Sequence, residues 1–280
     1  MQNDRRTLTR SGGKSPPRKG RRLGGALPLL ILSLFVVFAS ARAAPSLTRV
    51  STERPGWSLG FGLLSYGLPY KDVTRWTRFV PLVNAQGDGF YIHGLNAGYW
   101  FYRRHEFRVS VVLAPELLHI SSRFGPFARS LHDRQATLLG GFRASFVRPL
   151  YAVHLSALTD LLARSKGQVL RLSAGPRWHG AGWRLSARMG VDWESANQIT
   201  YYFGVPADQS SVSLPSYDPG SAVNTDATLV IARKFWALGA HFEAVGSVEE
   251  IWYGASVRES PLVARSTALS GLIGLMFRFR

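Results

Sequence analysis

The sequence predicts an all-β protein, a transmembrane antiparallel up-and-down β-barrel of twelve strands, with ten as the alternative count. Three observations predict it. Apolar and polar residues alternate with a period of two in segment after segment, the mark of strands with one apolar face. The segments run 10 to 14 residues, the length that crosses a bilayer at a tilt rather than the shorter strand usual in soluble sheets. Short turns then alternate with long connections, as in barrels whose turns lie in the periplasm and whose loops lie outside.

The chain begins with a segment that reads as a cleaved export signal over 1–43. Basic residues from Arg5 to Arg22 precede the apolar run 26–39, and Ala41-Arg42-Ala43 before Ala44 supplies a small-x-small cleavage site. A membrane anchor is the rival reading, because 23–41 lacks charge; Gly24, Gly25 and Pro28 shorten its helical core. Cleavage leaves 25 Lys+Arg and 16 Asp+Glu and lowers the net charge from +17 to +9. Nucleic acid is therefore not an expected partner. Residues 44–56 form a periplasmic N-terminal segment and 57–280 the barrel.

The strands follow in order. Candidates run at 57–66, 76–86, 89–102 and 106–114. The third folds back at Gly94-Leu95-Asn96-Ala97-Gly98 if the wall has twelve strands, an even number being required when both ends face the periplasm. Over 138–146, Leu138, Gly140, Phe142, Ala144 and Phe146 oppose Thr137, Gly141, Arg143 and Ser145, with Leu139 breaking the polar face. Tyr151, Val153, Leu155 and Ala157 oppose Ala152, His154 and Ser156. Leu170 to Trp178 and Trp183 to Glu194 alternate most strictly and are joined by His179-Gly180-Ala181-Gly182. Strands at 222–234, 236–244 and 266–279 complete the set. Short turns fall near 103–105, 148–150, 179–182 and 234–235, and long connections at 115–134, 195–221 and 250–265. Trp100, Tyr102, Tyr151, Trp178, Trp183, Phe235 and Trp236 flank those turns, where an aromatic girdle meets the inner interface of the outer membrane. Outer-membrane lipid is the first expected partner.

The last strand, SGLIGLMFRFR, points Leu269, Ile273, Leu275, Phe277 and Phe279 one way. Gly274, Phe277 and Phe279 resemble the C-terminal signal read by the barrel-insertion machinery, a second expected partner; Arg280 extends past the final aromatic, and Leu272 stands where a polar residue is usual.

Chemistry is sparse. With no cysteine there is no thiolate site, and no metal constellation, phosphate loop or nucleotide motif is present, so no cofactor, metal or catalytic residue is expected. His154 and Ser156 share a strand face as a base and nucleophile would, but such spacing is common among lumen residues. His132-Asp133-Arg134 reads better as a loop-anchoring ion pair than as an acid-base cluster. The lumen carries Arg143, Arg171, Arg177, Arg184 and Arg188 against Asp192, Glu194 and Glu243, which either pair across a narrow barrel or make a weakly anion-selective channel.

The stretch YYFGVPADQSSVSLPSYDPGSA at 201–222, preceded by Asn197-Gln198, resembles the signature region of the MipA/OmpV family of Gram-negative outer-membrane proteins, also called MltA-interacting proteins. Tyr201, Tyr202, Gly204, Val205 and Tyr217 match it at fixed spacing. GLNAGYWFY at 94–102, DRQATLLGG at 133–141 and Ser260-Pro261-Leu262-Val263 match in the same order, while Arg258 interrupts the acidic stretch that often precedes the Ser-Pro pair. The resemblance implies a non-enzymatic scaffold in the cell outer membrane, joining a lytic transglycosylase to a penicillin-binding protein in murein synthesis. Porin and adhesin roles within the family are the alternatives. The cations Arg103, Arg104, Arg148, Arg233 and Lys234 beside the short turns would meet either an acidic partner or lipid headgroups.

Overall fold

The computed structural model describes residues 56–279 except 74, 126 and 127. The export signal, its cleavage site at Ala41, Ala43 and Ala44, the segment before Gly56, and Arg280 lie outside the described residues. Twelve antiparallel strands close into a barrel in sequence order, and the last pairs with the first. They are β1 (Gly56–Gly67), β2 (Arg75–Gln86), β3 (Phe90–His93), β4 (Asn96–Arg104), β5 (Phe107–Glu116), β6 (Thr137–Val147), β7 (Tyr151–Asp160), β8 (Gln168–Gly180), β9 (Trp183–Glu194), β10 (Ala222–Ala237), β11 (Ala240–Trp252) and β12 (Thr267–Phe279). The seam runs from Trp57 opposite Phe279 to Ser65 opposite Gly271. No helix among the described residues is long and apolar enough to cross a membrane.

Alternation does in space what it does in the sequence. On β8 and β9, Leu170, Leu172, Met189 and Val191 point outward and are exposed, while Arg171, Ser173, Arg188 and Gly190 point inward. The same outward face continues through Phe61, Phe79, Phe142, Leu229, Ile231, Ile273 and Leu275. A continuous apolar belt of this kind suits only a lipid surround. Trp57, Tyr102, Tyr151, Trp178, Trp183 and Phe279 lie near its short-turn edge.

The turns correct two boundaries. The turn predicted at 234–235 lies instead at Leu238-Gly239, because β10 runs on to Ala237 and both turn residues take positive φ (50° and 76°), which a tight hairpin of this hand needs. Ala181-Gly182, at 48° and 79°, makes the equivalent turn between β8 and β9. The fold-back in 89–102 occurs at Gly94-Leu95 and leaves β3 only four residues long. An unanticipated loop, 161–167, joins β7 to β8; the Asp160 carboxylate organises it by accepting from the backbone N–H of Leu162 (3.0 Å), Ser165 (2.6 Å) and Lys166 (3.1 Å).

Two kinds of packing fill the interior. Leu64, Tyr66, Val80, Leu82, Ala268, Leu272 and Met276 line the β12–β1–β2 side and join one apolar cluster with the long loops. Leu272 is thus an inward core residue, and Gly274, opposite Gly62 across the seam, leaves room for Leu82 to lie over both. The β6–β11 side is polar.

Candidate functional site

The polar side of the lumen is built by inward positions of consecutive strands. Arg171 Nε lies 2.7 Å from Asp192 Oδ2. Arg184 pairs with Glu243. Arg188 reaches Asp226 (3.6 Å) and Glu249 (3.5 Å) and donates to Thr228 Oγ1 at 2.9 Å. Arg143 donates to Ser156 Oγ at 2.9 Å, Glu194 accepts from Asn224 Nδ2 at 2.8 Å, and Arg177 lies 2.7 Å from His179 Nε2. Asp226 and Glu249 were not singled out from the sequence. The alternation of Asn224, Asp226 and Thr228 within β10 carries the signal for that face, and the added acids remove the arginine excess that a simple anion channel would use. A cavity of about 1010 Å³ of atom-free space, its mouth included, lies beside His154, Arg177, Arg184, Arg188 and Glu243.

Neither candidate for nucleophilic or acid-base chemistry is assembled. His154 Nδ1 sits 2.8 Å from Ser145 Oγ, while Ser156 accepts from Arg143. His132 Nδ1 faces Gln209 Nε2 at 2.9 Å, and Asp133 accepts from the Ser122 N–H at 2.8 Å. The three residues of the expected loop cluster therefore turn to different partners, and Arg134 donates to the Gly204 carbonyl at 2.7 Å.

That last bond belongs to a cap over the long-loop end. The signature loop forms helix α1 (Ala196–Phe203), which buries Gln198, Ile199, Tyr202 and Phe203. The matched residues tie it to other loops and close its own loop on itself. Asn197 Nδ2 donates to the Lys166 carbonyl (3.4 Å), and Gln198 Oε1 accepts from Ser165 Oγ (2.7 Å). Tyr201 Oη accepts from the Gln135 N–H (2.9 Å), and Tyr202 Oη donates to the Gln135 carbonyl (3.3 Å). Val205 bridges Tyr217 in both directions, and Tyr217 Oη donates to the Ser256 carbonyl at 3.0 Å on the one-turn helix α2 (Ala255–Arg258). Gly204 has no space for a Cβ against the Thr200 carbonyl. Leu68, Tyr70, Leu117, Leu118, Ile120, Leu131, Val257 and Leu262 fill the gaps between these loops. The signature is thus the hub of a packed cap, which the sequence located without revealing its destination.

His119 stands at the edge of the cap, its ring edge-on to Trp76 (6.0 Å) and Phe124 (5.0 Å). Burial holds its imidazole below the ordinary value; the Leu117 carbonyl pulls the other way, and nearby Arg78 adds to the lowering. A native histidine with a depressed pKa binds fewer protons than the open loop, so its contribution is present above the unfolded value of about 6.5 and is lost as the pH falls below it. Protease nicking of 117–136 is accordingly expected to accelerate on acidification from neutral pH, and His119→Gln to flatten that dependence; an unchanged profile in the variant would assign it elsewhere.

At the short-turn end, the five expected cations divide. Arg104 is exposed. Arg103 donates to the Asp88 carbonyl and lies 5.3 Å from the Trp100 ring centroid, and Arg148 pairs with Glu106 at 3.0 Å. Arg233 lies 4.8 Å over the Trp183 ring on the outer face, whereas Lys234 is on the inward face. Leu150 and Leu238 project from the turns, 69% and 96% exposed.

A family model described as MltA-interacting protein MipA matches residues 59–279. The MltA-interacting protein of Escherichia coli (strain K12) is 27% identical over 256 residues, covering 90% of this chain and 99% of the relative. "Putative outer membrane protein YiaT" of Escherichia coli O157:H7 is 24% identical over 225 residues, covering 79% of this chain and 90% of the relative. Among solved structures, a bacterial polysaccharide outer membrane secretin aligns over 80% of this chain and 98% of its own at 11% identity, with a TM-score of 0.37. With a family match across the whole barrel, and a closed twelve-strand wall wrapped in an apolar belt, the chain belongs to the MltA-interacting protein family of outer-membrane β-barrels.

Proposed function

We propose that this barrel is a non-enzymatic scaffold that holds a lytic transglycosylase, together with a penicillin-binding protein, at its periplasmic face. The observation that carries the reading is the relative named for interaction with MltA, a lytic transglycosylase, aligned over nearly its full length. The packing supports it. The long-loop end is spent on its own cap, which leaves the short-turn end as the face open to a partner. There, Leu150 stands as an apolar tip on the same turn as Arg148, which pairs with Glu106, Arg104 is exposed in β4, and Leu238 is a second apolar tip on the β10–β11 turn, a set suited to a contact that spans the short-turn rim and meets an acidic partner. The unassembled histidine clusters favour binding over catalysis.

Capture from gently solubilised envelopes at low and moderate salt tests the scaffold. Selective recovery of a lytic transglycosylase or penicillin-binding protein, weakening with salt, is the expected result. Removing two anchor tips at about 1 kcal/mol or more apiece lowers affinity by about thirtyfold or more, so Leu150→Ser with Leu238→Ser should cut recovery accordingly. Recovery of no cell-wall enzyme in either salt would sink the scaffold reading. The polar cavity favours a second reading, a diffusion channel, for which reproducible conductance in a planar bilayer is the test.

A further inference from the structure

The barrel is closed in strand order but not in height. Strand β2 pairs with β1 along its whole length, yet on its other side only Asn84, Ala85 and Gln86 find β3. Residues 75–82 have no strand beside them there, and among the described residues no backbone hydrogen bond from another element reaches that side. Across the gap, β4 reaches up β5 only to the pair Ala97–Leu113, so Ala114, Pro115 and Glu116 have β6 on one side and no strand on the other. The result is a notch in the wall above the short β3–β4 hairpin, about 26 Å long on the β2 edge at the usual strand rise.

Both open edges carry a proline, and register shows which way each nitrogen faces. The Val83 carbonyl accepts from the Gly94 N–H (2.9 Å), toward the hairpin; alternation by two puts the Pro81 nitrogen on the same, open side. On the other edge, the Leu138 carbonyl accepts from the Leu161 N–H (2.9 Å), away from β5, so its directly opposed partner Pro115 also faces away from β6 and into the notch. Proline removes the donor that a further strand would need, which blunts both edges against pairing with a peptide. The edge N–H and C=O groups that remain lie within the bilayer, where water does not cover them and the prolines disfavour a further strand, so the notch calls for a cover that can itself accept hydrogen bonds, as lipid headgroup and ester oxygens do.

Arg78 marks what reaches the notch. It lies opposite Leu64 on the same interior face, and Leu64 is 0% exposed, yet Arg78 is exposed, with its guanidinium 4.4 Å from the Trp76 ring centroid. On the inner side Leu64 and the His119 ring packed on Trp76 (6.0 Å) close off this position, which leaves the gap in the wall as the route by which Arg78 is exposed. Outward neighbours Phe61 and Phe79, 77% and 83% exposed, place the opening within the lipid-facing belt, and Arg75 stands exposed at its long-loop end. We infer that the notch is a lateral binding site for a membrane lipid: an acyl chain enters between β2 and β5, and its anionic headgroup is held by Arg75 and Arg78. This goes beyond the scaffold reading and does not depend on it.

The chain has no native cysteine, so single-cysteine reporters can be placed cleanly. A bimane label at Arg78→Cys, in vesicles of brominated phosphatidylglycerol, is expected to be quenched like one at lipid-facing Phe142→Cys and unlike one at interior Ser173→Cys, where the wall is complete. Quenching at position 78 that matches position 173 would overturn the site. A second reporter, Leu95→Cys at the hairpin tip, keeps Arg78 in place. With it, brominated phosphatidylglycerol should outcompete brominated phosphatidylcholine about fivefold for each engaged arginine, and Arg78→Gln should remove that factor. Equal quenching by the two lipids would overturn the headgroup assignment. A heat-dependent gel shift confirms that each variant is folded before it is scored.

Discussion

Replacing Arg188 by alanine is expected to lower the stability of the barrel by about 3 kcal/mol, the lower end of the cost of breaking a buried ion pair from one side, because the lumen cavity lets some water reach the site. The register makes the reason concrete. Arg188, Thr228 and Glu249 lie in one row across β9, β10 and β11, and Asp226 sits in the next interior position, opposite Gly190. A Cβ at Gly190 would run into the Asp226 carboxylate, so the glycine makes the space that the ion cluster occupies. Thr228 Oγ1 lies 3.3 Å from both Asp226 Oδ2 and Glu249 Oε1, and Arg188 supplies the charge that lets two carboxylates share this space. Without it they repel across a low-dielectric gap or take up protons at a cost. Asp226→Asn with Glu249→Gln in the Arg188→Ala background should recover much of the loss, since neutral amides remove the repulsion, and the three changes should be far from additive. The comparison is Arg148→Ala, which breaks an exposed pair with Glu106 and should cost less than about 1 kcal/mol. Urea midpoints of the heat-shifted folded band measure both. Equal midpoints for Arg188→Ala and Arg148→Ala would show that the lumen is too wet for its ion cluster to matter.

How much of this was legible follows from which residues carry a period. Where outward residues are uniformly apolar and inward ones polar, as from Leu170 to Glu194, strand, face and ion-pair candidates could all be read directly. β10 was harder. Its inward face mixes Asp226 with Ala222 and Ala232, so the run looks less regular than it is, and the sequence ends it three residues early because the alternation that starts at Trp236 and runs to Ala244 looks like a new strand. Helix α1 is eight residues long, too short for a sustained 3.6-residue stripe, although Gln198, Ile199, Tyr202 and Phe203 have the spacing of one helical face. The cap itself depends on contacts between loops far apart in sequence, such as Tyr70 Oη donating to the Tyr202 carbonyl (3.3 Å) and Ser260 Oγ to the Phe203 carbonyl (2.6 Å), and no local pattern encodes those. The notch was hidden for a related reason. The segment 89–102 alternates well enough to be a full strand, and only pairing reveals that its first arm stops at His93.

Truncating the cap's central aromatic should separate closure from folding. Tyr202 is fully buried at the meeting point of four loops, with its ring 4.8 Å from that of Tyr201 and its hydroxyl donating to the Gln135 carbonyl. Large buried aromatics cost about 3–5 kcal/mol when cut to alanine, and a cap made only of loops has less local stability to lose than the wall beneath it. Tyr202→Ala is therefore expected to leave the heat-dependent gel shift of the barrel intact while loops 117–136 and 195–221 become sensitive to added protease. Conductance in a planar bilayer then becomes informative. The native protein should conduct little through a mouth packed by Leu117, Leu118, Ile199, Phe203 and Leu262, and the variant more, because the polar cavity below is already open space. If the native barrel conducts as well as the variant, the cap does not seal the lumen and the channel reading gains over the scaffold. If the variant conducts while retaining the periplasmic partner, then binding belongs to the short-turn face and closure to the signature loop, and the two roles are physically independent ends of one barrel.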